Sequence, residues 1–155
     1  MRFLTLATLA LAFFFSGCDT VSSRISERFE TVPPKTRTYQ VDQKAVFEAA
    51  QTAMRRIDFQ LTRTARAQGI VEGLSRIVAG NALSDARQHT IEVHLRSEEA
   101  GITYVDVLVH EQQESADFAG ATNIALREHG LYASYFAALE QALREMGALP
   151  AAPAK

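Results

Sequence analysis

Thiol, imidazole, hydroxyl and carboxylate groups carry most protein chemistry, and in this chain they are sparse and poorly matched in spacing. The single cysteine, Cys18, cannot form an internal disulfide. Four histidines are present, His89, His94, His110 and His129. On alternating strands His94 and His110 share a face, and a hairpin loop over Ser97–Gly101 would set His94 opposite Tyr104 or Asp106. His110 then lies about 14–20 Å further along at the rise of a strand. Two nitrogens that far apart cannot share a metal whose bonds are about 2 Å long, so a surface hydrogen bond from His94 to Asp106 is the expected use. His89 has the opposite parity from His110, and His129 falls where no period is visible. No serine stands in a Gly-x-Ser-x-Gly elbow, and neither Ser75 nor Ser84 has a base at helical or strand spacing. Glu98-Glu99 suits a solvated turn, and Glu111, Glu114 and Asp117 match no dedicated calcium loop. Gly69 and Gly73 fit a bulge or close packing rather than a phosphate cradle. The expectation is no catalytic residue, no metal and no cofactor.

Cys18 has neighbours that explain it. Arg2 gives a positive start, and Leu4 to Phe15 form an apolar run broken only by Thr5 and Thr8. Twelve helical residues reach about 18 Å, short of the roughly 30 Å of a bilayer core, as in a removable export leader. The small residues Ser16 and Gly17 then open the backbone to a peptidase. The run Phe15-Ser16-Gly17-Cys18 resembles the bacterial lipobox, with phenylalanine where leucine is commonest. The resemblance implies diacylation of the Cys18 thiol, palmitate included, cleavage before Cys18 and acylation of the new amino group. It also implies that Asp19 favours retention in the inner membrane. The expected organisation is a signal peptide over 1–17, a lipidated tether over 18–36 ending near Pro33-Pro34, a globular domain over 37–147 and a disordered tail over 148–155.

With 155 residues and 47% hydrophobic content the chain has room for one core. Cleavage removes only Arg2 among charged residues, so the mature chain stays slightly acidic and lacks the electrostatic footprint of a nucleic-acid binder. Charge is uneven along it. Six arginines face three acids over 53–90, and eight acids face two arginines over 91–128. The stretch Ile77–Leu83 is apolar and small, without a period, and suits a groove-covering loop, an interaction edge or core filling.

The elements follow from periodicity. Thr38–Val41 suits a short strand, and Asp42 an N-cap, with Val41 and Val46 spaced as a hydrophobic staple. Val46, Phe47, Ala50, Ala53, Met54 and Ile57 predict a helix over about 43–57. Strands are predicted around Phe59–Leu61, Ile70-Val71, Ile91–Leu95 and Val105–Val109, the last two with clean alternation. Tyr132, Tyr135, Phe136, Leu139, Leu143 and Met146 predict a final helix, closed by Gly147 and Pro150. Segments 76–88 and 115–130 stay open, the latter between loop and a helical turn. The fold class is α+β, a single small domain of order β-α-β-β-β-β-α, with two amphipathic helices on one face of an antiparallel sheet. This order, with Gly69–Gly73 and Gly101–Val105 in strands and Tyr132 opening the last helix, resembles small bacterial envelope lipoprotein domains of unassigned function.

The expected function is a non-enzymatic, membrane-anchored envelope lipoprotein that binds another envelope protein. The alternative is a carrier of a small apolar ligand between sheet and helices, near Phe47, Phe59, Tyr132, Tyr135 and Phe136, which are equally the candidate partner surface. A hydrolase is the remote third.

Overall fold

The computed structural model describes residues 32–79, 86–114 and 121–150. The expected leader, Cys18 and the expected tether up to Thr31 lie outside these, as does most of the expected tail. Strand β1 (Lys35–Tyr39) leads into helix α1 (Gln43–Arg56). Strands β2 (Gln60–Ala65), β3 (Ile70–Leu74), β4 (Ala86–Glu99), β5 (Ile102–Glu114) and β6 (Ala121–Ala125) follow, and helix α2 (Gly130–Glu145) closes the domain. All pairings are antiparallel. The expected order is present, and 121–125 adds a sixth strand in the segment that sequence leaves between loop and helix. The first strand sits at Lys35–Tyr39 rather than Thr38–Val41, because its register is fixed by distant Thr103–Val107 and not by a local apolar period.

The sheet runs β1-β5-β4-β3-β2, with β6 on β5 as well. β1 pairs with Thr103–Val107 and β6 with His110–Glu114, so two strands far apart in sequence share one side of β5. Between them Val109 would be left unpaired. Its carbonyl accepts from the Leu126 amide (2.8 Å), and its amide donates to the Tyr132 hydroxyl (3.1 Å). That hydroxyl in turn donates to the Leu126 carbonyl (2.6 Å). Tyr132 thus closes the seam and satisfies a buried amide that no strand reaches.

Alternation places Ile91, Val93, Leu95, Val105, Val107, Val109 and Val71 on one face, all buried against the helices. From α1 come Val46, Phe47, Met54 and the alanines 49, 50 and 53, whose small side chains bring the helix close to its neighbours. From α2 come Tyr132, Tyr135, Phe136, Leu139 and Leu143. Thr103 is the one buried polar residue described, and its hydroxyl donates to the Val41 carbonyl (2.7 Å). At the end of α1, Asp58 (φ +61°) takes the left-handed position usually held by glycine. The Phe59 amide then reaches the Met54 carbonyl (3.0 Å), which turns Phe59 into the core.

Two local expectations change. Asp42 occupies the N-cap of α1, but its side chain makes no capping hydrogen bond; only its carbonyl joins the helix, accepting from Val46. The expected Ser97–Gly101 loop is shorter, since β4 continues to Glu99 and the turn is Ala100-Gly101. An irregularity between Arg96 and Glu99 absorbs the difference.

Candidate functional site

The face of the sheet away from the helices is the candidate site. Cross-strand register brings Glu72, Glu92 and Leu108 into one row, and Ile70, His94 and Asp106 into the next. Thr36 of β1 continues the second row through Asp106. A hollow of about 330 Å³ opens over these rows, lined by Pro34, Gln68, Glu92, His94, Arg96, Asp106 and Leu108. Pro34, just before β1, stands at its rim.

Asp106 is the fixed point of this face. Arg96 binds it with two nitrogens, Nε to Oδ2 (2.7 Å) and Nη2 to Oδ1 (3.4 Å), and Thr36 donates to Oδ1 (2.6 Å). Arg96 also reaches Glu98 (3.0 Å) and lies over the Tyr104 ring at 5.6 Å. Partial burial pushes the Asp106 carboxyl upward, but the hydrogen bonds from Arg96 and Thr36 outweigh it and hold the group below the usual carboxylate range. The expected His94–Asp106 bond does not form, because the guanidinium fork of Arg96 and the Thr36 hydroxyl take both oxygens. A consequence can be measured. The pairing stabilises the fold above the unfolded carboxyl value of about 3.9 and is lost as pH falls through the lower folded value. The stability gap between wild type and Asp106→Asn in urea is therefore expected to shrink from pH 7 to about pH 2.5. A gap that stays constant would show that the carboxylate is not held by charge.

His94 and His110 do share this face. His94 is opposite Asp106 and His110 opposite Thr90, four residues along β4, about 14 Å by strand rise. His110 lies 3.7 Å from Glu92. His89 is on the helix side, 3.2 Å from Glu111, with its ring stacked on His129. Among the described residues no three of His, Cys, Asp and Glu are grouped to hold a metal. Ser75 meets His89 only through the backbone, its hydroxyl accepting from the His89 amide (2.9 Å); Ser84 lies outside the described residues.

Phe47, Phe59, Tyr132, Tyr135 and Phe136, the expected ligand or partner surface, all lie within the packed core, and Tyr135 and Phe136 meet edge to face. None is more than 6% exposed, and Phe59, Tyr132 and Phe136 present no more than an edge to surface hollows. Of the six arginines over 53–90, four are paired: Arg56 with Glu145, Arg63 with Glu72, Arg66 with Glu48 and Arg87 with Glu111. Of these pairs, Arg87–Glu111 joins the arginine-rich stretch to the acid-rich one, while the other three use Glu48, Glu72 and Glu145. In the stretch Ile77–Leu83, Ile77 and Val78 are exposed, and Val78 bridges to Arg87; the part beyond Ala79 lies outside the described residues. Sequence reasoning missed the Arg96–Asp106–Thr36 group and the Tyr132 seam, since both depend on pairing between distant strands.

Among the described residues no helix is long and apolar enough to cross a membrane. No family model and no curated protein matches the chain. Among solved structures, the chain is similar to a DUF4468 family protein from Bacteroides ovatus. Identity is 13% over 84% of this chain and 97% of that one, with a TM-score of 0.35. A likeness at that level carries no argument about function, and the architecture rests on the pairing and packing described above.

Proposed function

We propose that the protein is an envelope lipoprotein, anchored by acyl chains on Cys18, whose single α+β domain binds another envelope protein without catalysing a reaction. The observation that carries this reading is the run Phe15-Ser16-Gly17-Cys18, which puts the only cysteine at the end of an apolar leader too short to span a bilayer. Acyl chains there, at about 0.8 kcal/mol per buried CH₂, hold a protein stably when two or more are present. Residues 19–34 reach at most about 55 Å when extended, which confines the domain to the neighbourhood of its membrane; Asp19 supports the periplasmic face of the inner one. The helix-free sheet face, with its hollow and ordered charges, is the surface offered to a partner.

Cys18→Ser in the native host is expected to abolish incorporation of labelled palmitate, leave the leader uncut by the lipoprotein signal peptidase and change the mass accordingly. A serine variant that remains processed and membrane-held with unchanged acyl content would defeat the reading. For the partner, crosslinking from position 94 in membranes is expected to give a reproducible protein adduct, and its consistent absence counts against a binding role.

A further inference from the structure

His129 stands at the N-cap of α2 in extended conformation (φ −151°, ψ 145°), and its Nδ1 accepts a hydrogen bond from the Leu131 amide (3.2 Å). An amide N–H only donates, so Nδ1 must present a lone pair and the ring must be neutral. Helix N-caps are ordinarily serine, threonine, aspartate or asparagine, whose acceptors persist near neutral pH. An imidazole makes the cap conditional. Protonation turns the acceptor into a donor and sets a cation at the positive end of the helix dipole.

The surroundings sharpen that condition. The His129 ring stacks on His89, with centroids 5.0 Å apart and planes inclined by 30°. From β4, His89 Nε2 lies 3.2 Å from Glu111 Oε2, and the Arg87 guanidinium is 4.0 Å from the same oxygen. From β5, Glu111 also accepts from Gln113 at its other oxygen (2.5 Å). The connection before α2 contributes Arg127 and Glu128, and Glu128 is bound by Lys35 of β1 (2.6 Å). β6 and the first turn of α2 contain no charged residue. A proton on the His129 ring would set a cation against the stacked His89 imidazole and remove the acceptor of the cap.

We propose that His129 is an acid-sensitive latch that fastens the start of α2 to the sheet, and that protonation of its Nδ1 releases the first helical turn. Release loosens Tyr132, which closes the seam on β5. It also opens the wall of a second hollow, about 330 Å³, that runs between β1 and α2 and is lined by Lys35, Arg37, His129, Tyr132 and Phe136 among others. The device stands whether or not Cys18 carries lipid.

Hydrogen exchange on the full chain, read by mass spectrometry and corrected for intrinsic amide rates, tests it. Between about pH 8 and pH 5, the range in which imidazoles commonly titrate, the wild type is expected to lose about five- to tenfold of its protection over the first turn of α2. His129→Asn keeps an acceptor that does not titrate and is expected to hold its protection constant; His129→Ser, a second such cap, must behave alike. Equal protection of the wild type at both pH values overturns the latch, as does a pH-dependent loss retained in both variants. Peptides around Ile91 and Val107 are the internal reference, and a loss they share to the same extent is global unfolding and overturns it too.

Discussion

Gly69→Ala is expected to cost about 3–5 kcal/mol of folding stability, a large part of what a domain of this size possesses. Gly69 lies in the left-handed region (φ +67°), where a side chain alone costs about 1–2 kcal/mol. The larger cost is steric. A Cβ at this position would sit 2.3 Å from the Leu95 carbonyl oxygen, a backbone atom that cannot step aside. That carbonyl accepts from Gln43 Nε2 (3.0 Å), and the Leu95 amide donates to the Gly69 carbonyl (2.7 Å). Moving it would disturb the entrance to β3, the middle of β4 and the start of α1 together. Gly101 provides the control, since it has φ +78° but nothing within 4 Å of the point where a methyl group would stand. Gly101→Ala is expected to cost only about 1–2 kcal/mol. Urea denaturation of both variants, followed by circular dichroism, decides the matter, and equal losses would refute the steric argument.

Tyr135→Phe should make the protein more stable by about 1–3 kcal/mol at neutral pH, the ordinary penalty of a buried polar group without a partner. Tyr135 is fully buried, and its hydroxyl has no hydrogen-bond partner among the described residues. Burial, with a smaller contribution from Tyr39, pushes its phenol far above the ordinary range. The sign of the pH effect follows. Below the unfolded tyrosine value of about 10 both states are neutral. Above it the unfolded chain ionises while the folded one does not, and stability falls by about 1.4 kcal/mol per pH unit for each such group. Tyr39 acts in the same direction over a narrower window, because burial and the nearby Glu140 push it up to about 12. The wild type is therefore expected to lose stability steeply from pH 10 upward, and Tyr135→Phe to lose it less steeply. Urea midpoints at about pH 8 and pH 11.5 measure both effects. A variant that is weaker at pH 8 and equally steep in alkali would mean that the hydroxyl is satisfied in solution.

The parts of this fold that announce themselves are those whose burial is dictated locally. Ile91, Val93 and Leu95, and Val105, Val107 and Val109, alternate because each strand has one face on the core, and the stripe from Val46 to Met54 repeats because one side of a helix is buried. β6 is silent for the opposite reason. Its only large apolar residue, Ile124, is exposed, and the strand exists because the side of β5 beyond Val109 needs a partner. His129 carries no signal as a cap, since imidazole is not a preferred capping group. The five aromatics were legible as facing the space between sheet and helices, but sequence cannot distinguish a filled core from a lined pocket. Asp106 could be placed opposite His94, yet its true partner, Arg96, sits two residues further along the strand and wins by the number of bonds it makes.

The division of one β5 side between β1 and β6 has a consequence for assembly. The two strands are contributed by opposite ends of the domain, and the gap between them is sealed by a hydroxyl from the last helix. During synthesis the central β4–β5 hairpin can pair as soon as it emerges, but its flank is completed only after the chain has passed residue 132. Pairing β1 with β5 joins segments some seventy residues apart, a loop-closure cost that rises only slowly with length but must be met before the pairing contributes. The side of β5 shared by β1 and β6 is thus completed by long-range pairing and by the last helix, whereas the β4–β5 hairpin is local.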